Sequence, residues 1–112
     1  MAGAREVAGV KVLAIKVDKG DPKGLRELAD TLKDRIGSGI IVLGCENAGK
    51  ANLLVAVTRD LTGRFRAGEI IGKLAPIIGG SGGGKPDLAQ AGGGLVEKLG
   101  EALDKVHALI AE

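Results

Sequence analysis

Apolar residues recur along the first third of the chain with two different spacings, and the change of spacing predicts a strand followed by a helix. Residues 10–18 alternate apolar positions on both faces, which is typical of a strand, and Gly20 ends this pattern. Asp21 and Pro22 then predict a helix start, with Asp21 as N-cap and Pro22 at the first helical position. Gly37 supplies the stop. The predicted helix has an apolar stripe at helical spacing, formed by Leu25, Leu28, Ala29, Leu32 and Ile36.

The middle of the chain predicts two strands joined as a hairpin, followed by a second helix. Residues 40–43 are a continuous apolar run, as expected of a central strand that is covered on both faces. Residues 44–51 contain Asn47 and Gly49 and predict the hairpin connection, and residues 53–58 predict the returning strand. A polar turn over residues 60–66 leads into a helix over residues 67–74, which Pro76 ends or kinks.

Glycine makes up half of residues 79–94, and we interpret this stretch as a functional loop. Glycine adopts positive φ and lets another molecule approach the backbone closely. A flexible Gly/Ser linker is the alternative, but Lys85, Pro86, Asp87 and Gln90 are not low-complexity filler. We expect Asp87 to cap a short turn through residue 91.

A last helix is predicted over residues 95–111, and it completes one globular domain of residues 1–112. Its expected buried stripe is formed by Leu95, Leu99, Leu103, Val106 and Ile110. The element order predicts an α/β (α+β-like) fold: a small mixed β-sheet packed by about three helices, with a glycine-rich loop before the C-terminal helix.

The chemistry of the glycine-rich stretch favours anion binding. Backbone N–H groups next to Lys85 make a positive, concave surface that suits phosphate. Residues 79–85 fit the first seven positions of a P-loop, but Pro86 stands where the motif needs Ser or Thr, which excludes an ATPase site of that kind. No G-x-G-x-x-G can be placed after a strand and before a helix, which excludes a dinucleotide site.

The charge of the chain is close to balanced, at +2, so anion binding has to come from a local patch. Phe65 is the only aromatic residue, which argues against several base-stacking platforms and favours folded RNA recognised by shape, phosphate and 2′-hydroxyl contacts. The candidate RNA-binding residues are Arg59, Arg64, Arg66, Lys73, Gly80, Gly82, Gly83, Gly84, Lys85 and Gln90.

No catalytic or metal-binding residue is predicted. Cys45 and His107 are the only residues of their kinds, which is too few for a zinc cluster, and the carboxylates show no pairing. A single cysteine suits a reducing cytoplasm, and neither a signal peptide nor a membrane-spanning run is visible. We therefore expect a cytoplasmic location and no membrane contact.

The residue order of the glycine-rich stretch, GGSGGGKPDLAQAGG at residues 79–93, resembles the signature near the end of alanyl-tRNA synthetases. The segment AGEIIGKL at residues 67–74 and the last helix also resemble that family, so the likeness covers essentially the whole chain. It is similar to the family's C-terminal globular domain, which is of the DHH-associated class. The chain then looks like a fragment excised from a larger synthetase.

This resemblance implies a role that the residues alone do not establish. It implies a domain that grips the elbow of tRNA and helps the aminoacylation and editing modules act on one tRNA. The full-length protein would be an alanine–tRNA ligase, with tRNA and its own other domains as partners. The fragment alone would be non-catalytic and hold no cofactor, because the motifs for ATP, Mg and Zn belong to the other domains.

Two other functions remain open from the sequence. One is the substrate-binding domain of a DHH-family phosphoesterase, in which a histidine usually follows the glycines where Lys85 and Pro86 stand here. The other is a protein-interaction or dimerisation domain, in which the stripe of the last helix is partly exposed and a homodimer forms.

Overall fold

A six-stranded mixed sheet is the centre of the computed structural model, which describes residues 5–17 and 22–111. The strands are β1 Arg5–Val7, β2 Val10–Val17, β3 Ile40–Asn47, β4 Lys50–Val57, β5 Gly80–Gly84 and β6 Leu88–Gly93. Their order across the sheet is β1-β2-β3-β4-β6-β5. Strands β2 and β3 are parallel, and the other neighbouring pairs are antiparallel.

Three helices cover the two faces of this sheet. The helices are α1 Pro22–Ile36, α2 Ala67–Leu74 and α3 Leu99–Ala111. Helix α1 connects the parallel strands β2 and β3 and packs on one face, and α2 and α3 pack on the other. Short 3₁₀ turns lie at Arg59–Leu61, Ala75–Ile78 and Val96–Lys98. This arrangement confirms the predicted fold class of a small mixed sheet with helices.

Strand β3 lies in the middle of the sheet, as the apolar run at residues 40–43 predicts. Ile41 and Leu43 are buried on the α1 side, and Ile40 and Val42 are buried on the side of α2 and α3. Alternate residues of a strand point to opposite faces, so a strand with a helix layer on each side must be apolar at every position.

Most of the predicted ends of helices and strands agree with the structure, and those that differ do so for local reasons. The N–H of Gly37 donates to the carbonyl of Lys33 at 3.0 Å with φ +76°, which confirms the helix stop. The β3–β4 connection is tighter than predicted, because Ala48 and Gly49 both adopt positive φ and form a two-residue turn. The predicted strand end at Gly20 and the N-cap at Asp21 lie outside the described residues.

The start of the last helix was predicted four residues too early. Helix α3 begins at Leu99, after a 3₁₀ turn, and Leu95 precedes that turn. The N–H of Leu95 donates to the carbonyl of Ile78 at 2.9 Å, which fixes Leu95 outside the helix. Its side chain is 39% exposed, so the prediction that Leu95 belongs to the buried stripe was wrong.

The glycine-rich stretch is a β-hairpin and not a loop. Gly80 pairs with Gly93 and Gly84 with Ala89, and Lys85 donates its N–H to the carbonyl of Leu88 at 2.8 Å where the chain turns. Asp87 therefore caps no helical turn, since the residues that follow it form β6. Partly exposed Leu88 alternates with buried Ala89, which is the two-residue period of a strand. This period was not recognised in the sequence because the neighbouring positions are mostly glycine.

Neither α1, α2 nor α3 is long and apolar enough to cross a membrane, and this holds for every helix in the described part of the chain.

Candidate nucleic-acid interface

Glycine in β5 allows this strand to lie close to β6, its partner in the sheet. A Cβ atom on Gly82 would overlap Ala91, and one on Gly80 would overlap the carbonyl oxygen of Gly92. A Cβ on Gly84 would lie 2.5 Å from the carbonyl oxygen of Leu88. Within the glycine-rich stretch only Gly79 has positive φ, so the expectation of left-handed backbone there was wrong for β5.

The turn of the β5–β6 hairpin is fixed by two hydrogen bonds to other elements. The carbonyl of Pro86 accepts from the N–H of Ala67 at 2.8 Å, at the start of α2. The carbonyl of Asp87 accepts from the N–H of Val57 at 2.9 Å, at the end of β4. The exposed Lys85 thus lies in a turn that is hydrogen-bonded both to α2 and to β4.

Lys85 and Arg66 line one cavity of about 300 Å³ beside this turn. Gly83 and Gly84 provide bare backbone between the two cations, and the carboxylate of Glu69 also lines the cavity. Arg66 is placed there because it immediately precedes α2 in extended conformation, with φ −117° and ψ 127°. Two cations, one anion and side-chain-free backbone make a mildly positive concave surface.

A second cavity continues this surface along α2. Arg64, Arg66 and Lys73 line it together with the carboxylate of Glu69, the ring of Phe65 and apolar groups from α2 and α3. The Arg64 guanidinium lies 4.9 Å from the centroid of the Phe65 ring, a cation–π contact that orients it. Because Arg66 lines both cavities, Arg64, Arg66, Lys73 and Lys85 form one continuous band, which we call the basic surface.

Four of the predicted residues, Arg59, Gly80, Gly82 and Gln90, line neither cavity of the basic surface. Gly80 and Gly82 line neither cavity, and their lack of a side chain serves the packing of β5 on β6. Arg59 lies in the 3₁₀ turn after β4 and lines neither cavity. Its neighbour Asp60 accepts a hydrogen bond from the Ser38 hydroxyl, and this bond, with one from Thr58, lowers the pKa of Asp60.

Arg26 is a basic neighbour of the hairpin turn that is not among the residues predicted from the sequence. It lines a cavity of about 260 Å³ on the α1 side together with Gly83, Lys85 and the predicted Gln90. No local sequence signal marks Arg26, because only the packing of α1 on the sheet brings it to the hairpin.

Cys45 and His107 are separated by the sheet. Cys45 is buried on the α1 side, whereas α3, which carries His107, packs on the opposite face. Among the residues that the structure describes, no three His, Cys, Asp or Glu side chains are grouped to hold a metal ion. In that same part of the chain, the buried Nδ1 of His107 has no hydrogen-bond partner.

Comparison with known proteins gives a consistent family. The DHHA1 domain family matches residues 9–112. Over 108 residues, which are 96% of this chain, the sequence is 58% identical to an alanine–tRNA ligase of Anaeromyxobacter dehalogenans. Over 109 residues it is 51% identical to the alanine–tRNA ligase of Desulfosudis oleivorans. The chain spans 12% of the length of each of these relatives.

Two solved structures share the fold. The C-Ala domain of Aquifex aeolicus alanyl-tRNA synthetase superposes with a TM-score of 0.90 at 26% identity, covering 97% of this chain and 98% of that one. A DHH domain protein described as a member of the s1p family of ribosomal proteins superposes with a TM-score of 0.63 at 18% identity. The match covers 97% of this chain and 27% of that protein, and it shows the fold alone. The chain belongs to the DHHA1 domain family, and within it is similar in sequence and fold to the C-Ala domain of alanyl-tRNA synthetase.

Proposed function

We propose that this chain is the tRNA-binding C-terminal domain of an alanyl-tRNA synthetase. It grips the elbow of tRNA and helps the aminoacylation and editing modules act on one tRNA. The observation that carries this proposal is the basic surface, in which Arg66 joins the cavity of Lys85 to the cavity of Arg64 and Lys73. The similarity of the chain to alanine–tRNA ligases supports tRNA as the anion.

The chemistry of the basic surface suits phosphate and shape more than base identity. Phosphate contacts position a protein on nucleic acid but carry no sequence information. The elbow is a shape that tRNAs share, and Phe65, the only aromatic side chain, lies beneath Arg64. Binding should therefore differ little between tRNA for alanine and other tRNAs.

A fluorescence titration with labelled tRNA tests the proposal, using Lys85→Ala and its matched control Lys50→Ala. Both lysines are exposed and lie beside hairpin turns, but at opposite ends of the sheet, since Ala51 pairs with Gly93 and Ala56 with Leu88. Lys85→Ala should weaken cognate and non-cognate tRNA alike, and Lys50→Ala should leave the affinity near that of the parent. Equal losses in the two variants would show that only total charge matters.

The catalytic part of the proposal concerns the longer protein. The full-length protein is proposed to be an alanine–tRNA ligase located in the cytoplasm, with ATP, Mg and Zn held by its other domains. The chain itself would neither charge nor deacylate tRNA. Turnover of alanyl-tRNA by the pure chain above a buffer blank would contradict this.

The alternative functions have their own tests. Manganese-dependent hydrolysis of a nucleotide phosphodiester by the full-length protein would favour a DHH-family phosphoesterase. A concentration-dependent dimer of the chain in analytical ultracentrifugation, without tRNA binding, would favour the dimerisation domain.

A further inference from the structure

The α1 side of the sheet is only partly covered over β5 and β6, where Leu88 packs against the core beneath α1. Helix α1 packs on β3 and β4. Beyond it, Ser81 and Gly83 in β5 and Gly92 in β6 are exposed. The part of this face that α1 leaves exposed is accessible to a ligand.

Three neighbouring strands place polar side chains around a gap on this open face. Asn52 of β4 pairs with Gly92 of β6, and Gly92 pairs with Ser81 of β5, so that one residue without a side chain separates the two polar ones. Two strand spacings, about 10 Å, then lie between Asn52 and Ser81. Gln90 lies on the same face two residues before Gly92. These residues line a cavity of about 270 Å³, and we call Asn52, Ser81, Gln90 and Gly92 the Gln90 notch.

The packing of the sheet does not require glycine at position 92, in the notch, or at position 83, in the neighbouring cavity of Arg26 and Lys85. A Cβ on Gly92 would lie 3.7 Å from Oδ1 of Asn52, an ordinary contact, and a Cβ on Gly83 would have no neighbour within 4 Å. Neither residue has left-handed backbone. Glycine in a strand is less stable than alanine by roughly 0.5–1 kcal/mol. Glycine at these two positions therefore keeps a space open that the fold could fill.

The Gln90 notch adjoins a cationic cavity. Gln90 also lines the cavity of Arg26 and Lys85, so neutral amide and hydroxyl groups lie next to two cations. Amide side chains offer both donors and acceptors, which match the edge of a base or the hydroxyls of a ribose. Arginine and lysine match phosphate. The two cavities together are thus chemically complementary to one nucleotide.

We propose that the Gln90 notch holds the nucleoside part of one RNA nucleotide, whose phosphate lies between Arg26 and Lys85. The proposal rests on the proposed function in taking RNA as the source of that nucleotide. It adds to the basic surface a contact on the opposite face of the hairpin, so that RNA meets the hairpin turn from both sides of the sheet.

Nuclear magnetic resonance titrations of the ¹⁵N-labelled chain test the notch without tRNA. The probes are guanosine and cytidine 5′-monophosphates, with ribose 5-phosphate and inorganic phosphate as controls. At least one nucleoside monophosphate should shift the amides of Asn52, Ser81 and Gly92 in the notch, whereas inorganic phosphate should shift only those of the cavity that Arg26 and Lys85 line. Shifts by the nucleotides that are the same as those by inorganic phosphate would overturn the proposal.

Variants of the notch give the second readout. Gln90→Ala should weaken nucleotide binding about 3- to 10-fold, the loss expected for a hydrogen bond. Gly92→Ala should weaken it by filling the floor, whereas Gly100→Ala, at an exposed glycine of α3 where a Cβ would have no neighbour within 4 Å, should bind as the parent does. Amide spectra and urea unfolding establish that each variant is folded.

The outcomes separate this proposal from the proposed function. If tRNA binds and depends on Lys85, but nucleotides leave the notch amides unshifted and notch variants bind like the parent, the notch proposal fails alone. If nucleotides shift the notch amides but tRNA does not bind, tRNA is the wrong source and the notch remains a nucleotide site.

Discussion

The glycines of β5 differ in what their neighbours tolerate, although the sequence presents them as one run. Gly82 faces Ala91 at a distance that leaves no room for a side chain, and Gly83 faces open space. The difference follows from the strand period, which turns alternate residues to opposite faces. The two glycines cannot be distinguished from sequence, because glycine has no side chain whose polarity indicates which face of the strand it occupies.

Alanine at these two neighbouring positions should have opposite effects on stability. Gly82→Ala should lower the free energy of unfolding by about 1–3 kcal/mol, as overpacking does. Gly83→Ala should leave it unchanged or raise it by up to about 1 kcal/mol. Urea unfolding measures both. Equal destabilisation by the two variants would mean that β5 is not paired with β6 in this register.

The Ser38–Asp60 hydrogen bond should give the stability of the domain a small pH dependence in acid. The bond lowers the pKa of Asp60 in the folded state. Its contribution is therefore present above the ordinary Asp pKa and is lost as the pH falls through the lowered value. Ser38→Ala should reduce stability at pH 7, and the difference from the parent should vanish at low pH.

Urea unfolding between pH 2 and pH 7 checks this, with Thr31→Ala as control. The Thr31 hydroxyl donates to a backbone carbonyl, that of Glu27, so its loss should not depend on the protonation of Asp60. A Ser38→Ala difference that persists below the folded-state pKa would assign the effect to something other than the charge of Asp60.

The residues proposed to bind RNA were partly predictable from sequence. Lys85 and Gln90 stand out within the glycine-rich stretch, and the arginines before α2 are a local cluster. Arg26 could not be found in this way, because its relation to the hairpin depends on where the crossover helix α1 lies. Arg59 was predicted with the cluster, but the turn that carries it lies outside both cavities of the basic surface.

At the scale of elements, the apolar periods predicted the three helices and strands β2, β3 and β4. The β5–β6 hairpin was missed because its first strand has no apolar residue at all. Its position is set by tertiary contacts, namely pairing with β6 and the hydrogen bond from Ala67 to Pro86. Strand β1, of three residues, is too short to show a period.

Helix α2 offers a matched pair of glycines that tests how closely it packs on the hairpin. A Cβ on Gly72 would meet nothing within 4 Å, so Gly72→Ala should stabilise the domain by about 1 kcal/mol through helix propensity. A Cβ on Gly68 would lie 3.2 Å from the carbonyl oxygen of Gly84, so Gly68→Ala should gain less or nothing. Equal gains in thermal or urea unfolding would show a looser contact between α2 and β5.

At the scale of the whole molecule, the sheet order places the hairpin turn where cations from two layers can meet. Arg26 approaches from α1 and Arg66 from the start of α2, with Lys85 between them. A chain whose net charge is only +2 thereby concentrates positive charge at one end of its sheet. Composition alone gave no indication of this concentration.

The salt dependence of tRNA binding should report the number of phosphates that this region contacts. Each neutralised phosphate releases counterions and contributes roughly 0.7–0.9 to the fall of log affinity with log salt. Three or four contacts give a slope of about −3, and Lys85→Ala should reduce its magnitude by about one. A flat dependence, or a strong preference for the tRNA of alanine, would contradict phosphate-dominated binding.

Strand β5 lies at the edge of the sheet, and four of its five residues have no side chain. Glycine loses the most conformational freedom when it is ordered, and an edge strand without side chains has few contacts to offset that loss. The β5–β6 pair should therefore open locally at a lower free energy than the centre of the sheet, and its amides should exchange with solvent before those of β3 and β4. A ligand that binds only the closed pair would slow the exchange of these amides more than that of other amides. The affinity of the domain could then change through substitutions that alter how often β5 is open, without any change in a residue that touches the ligand.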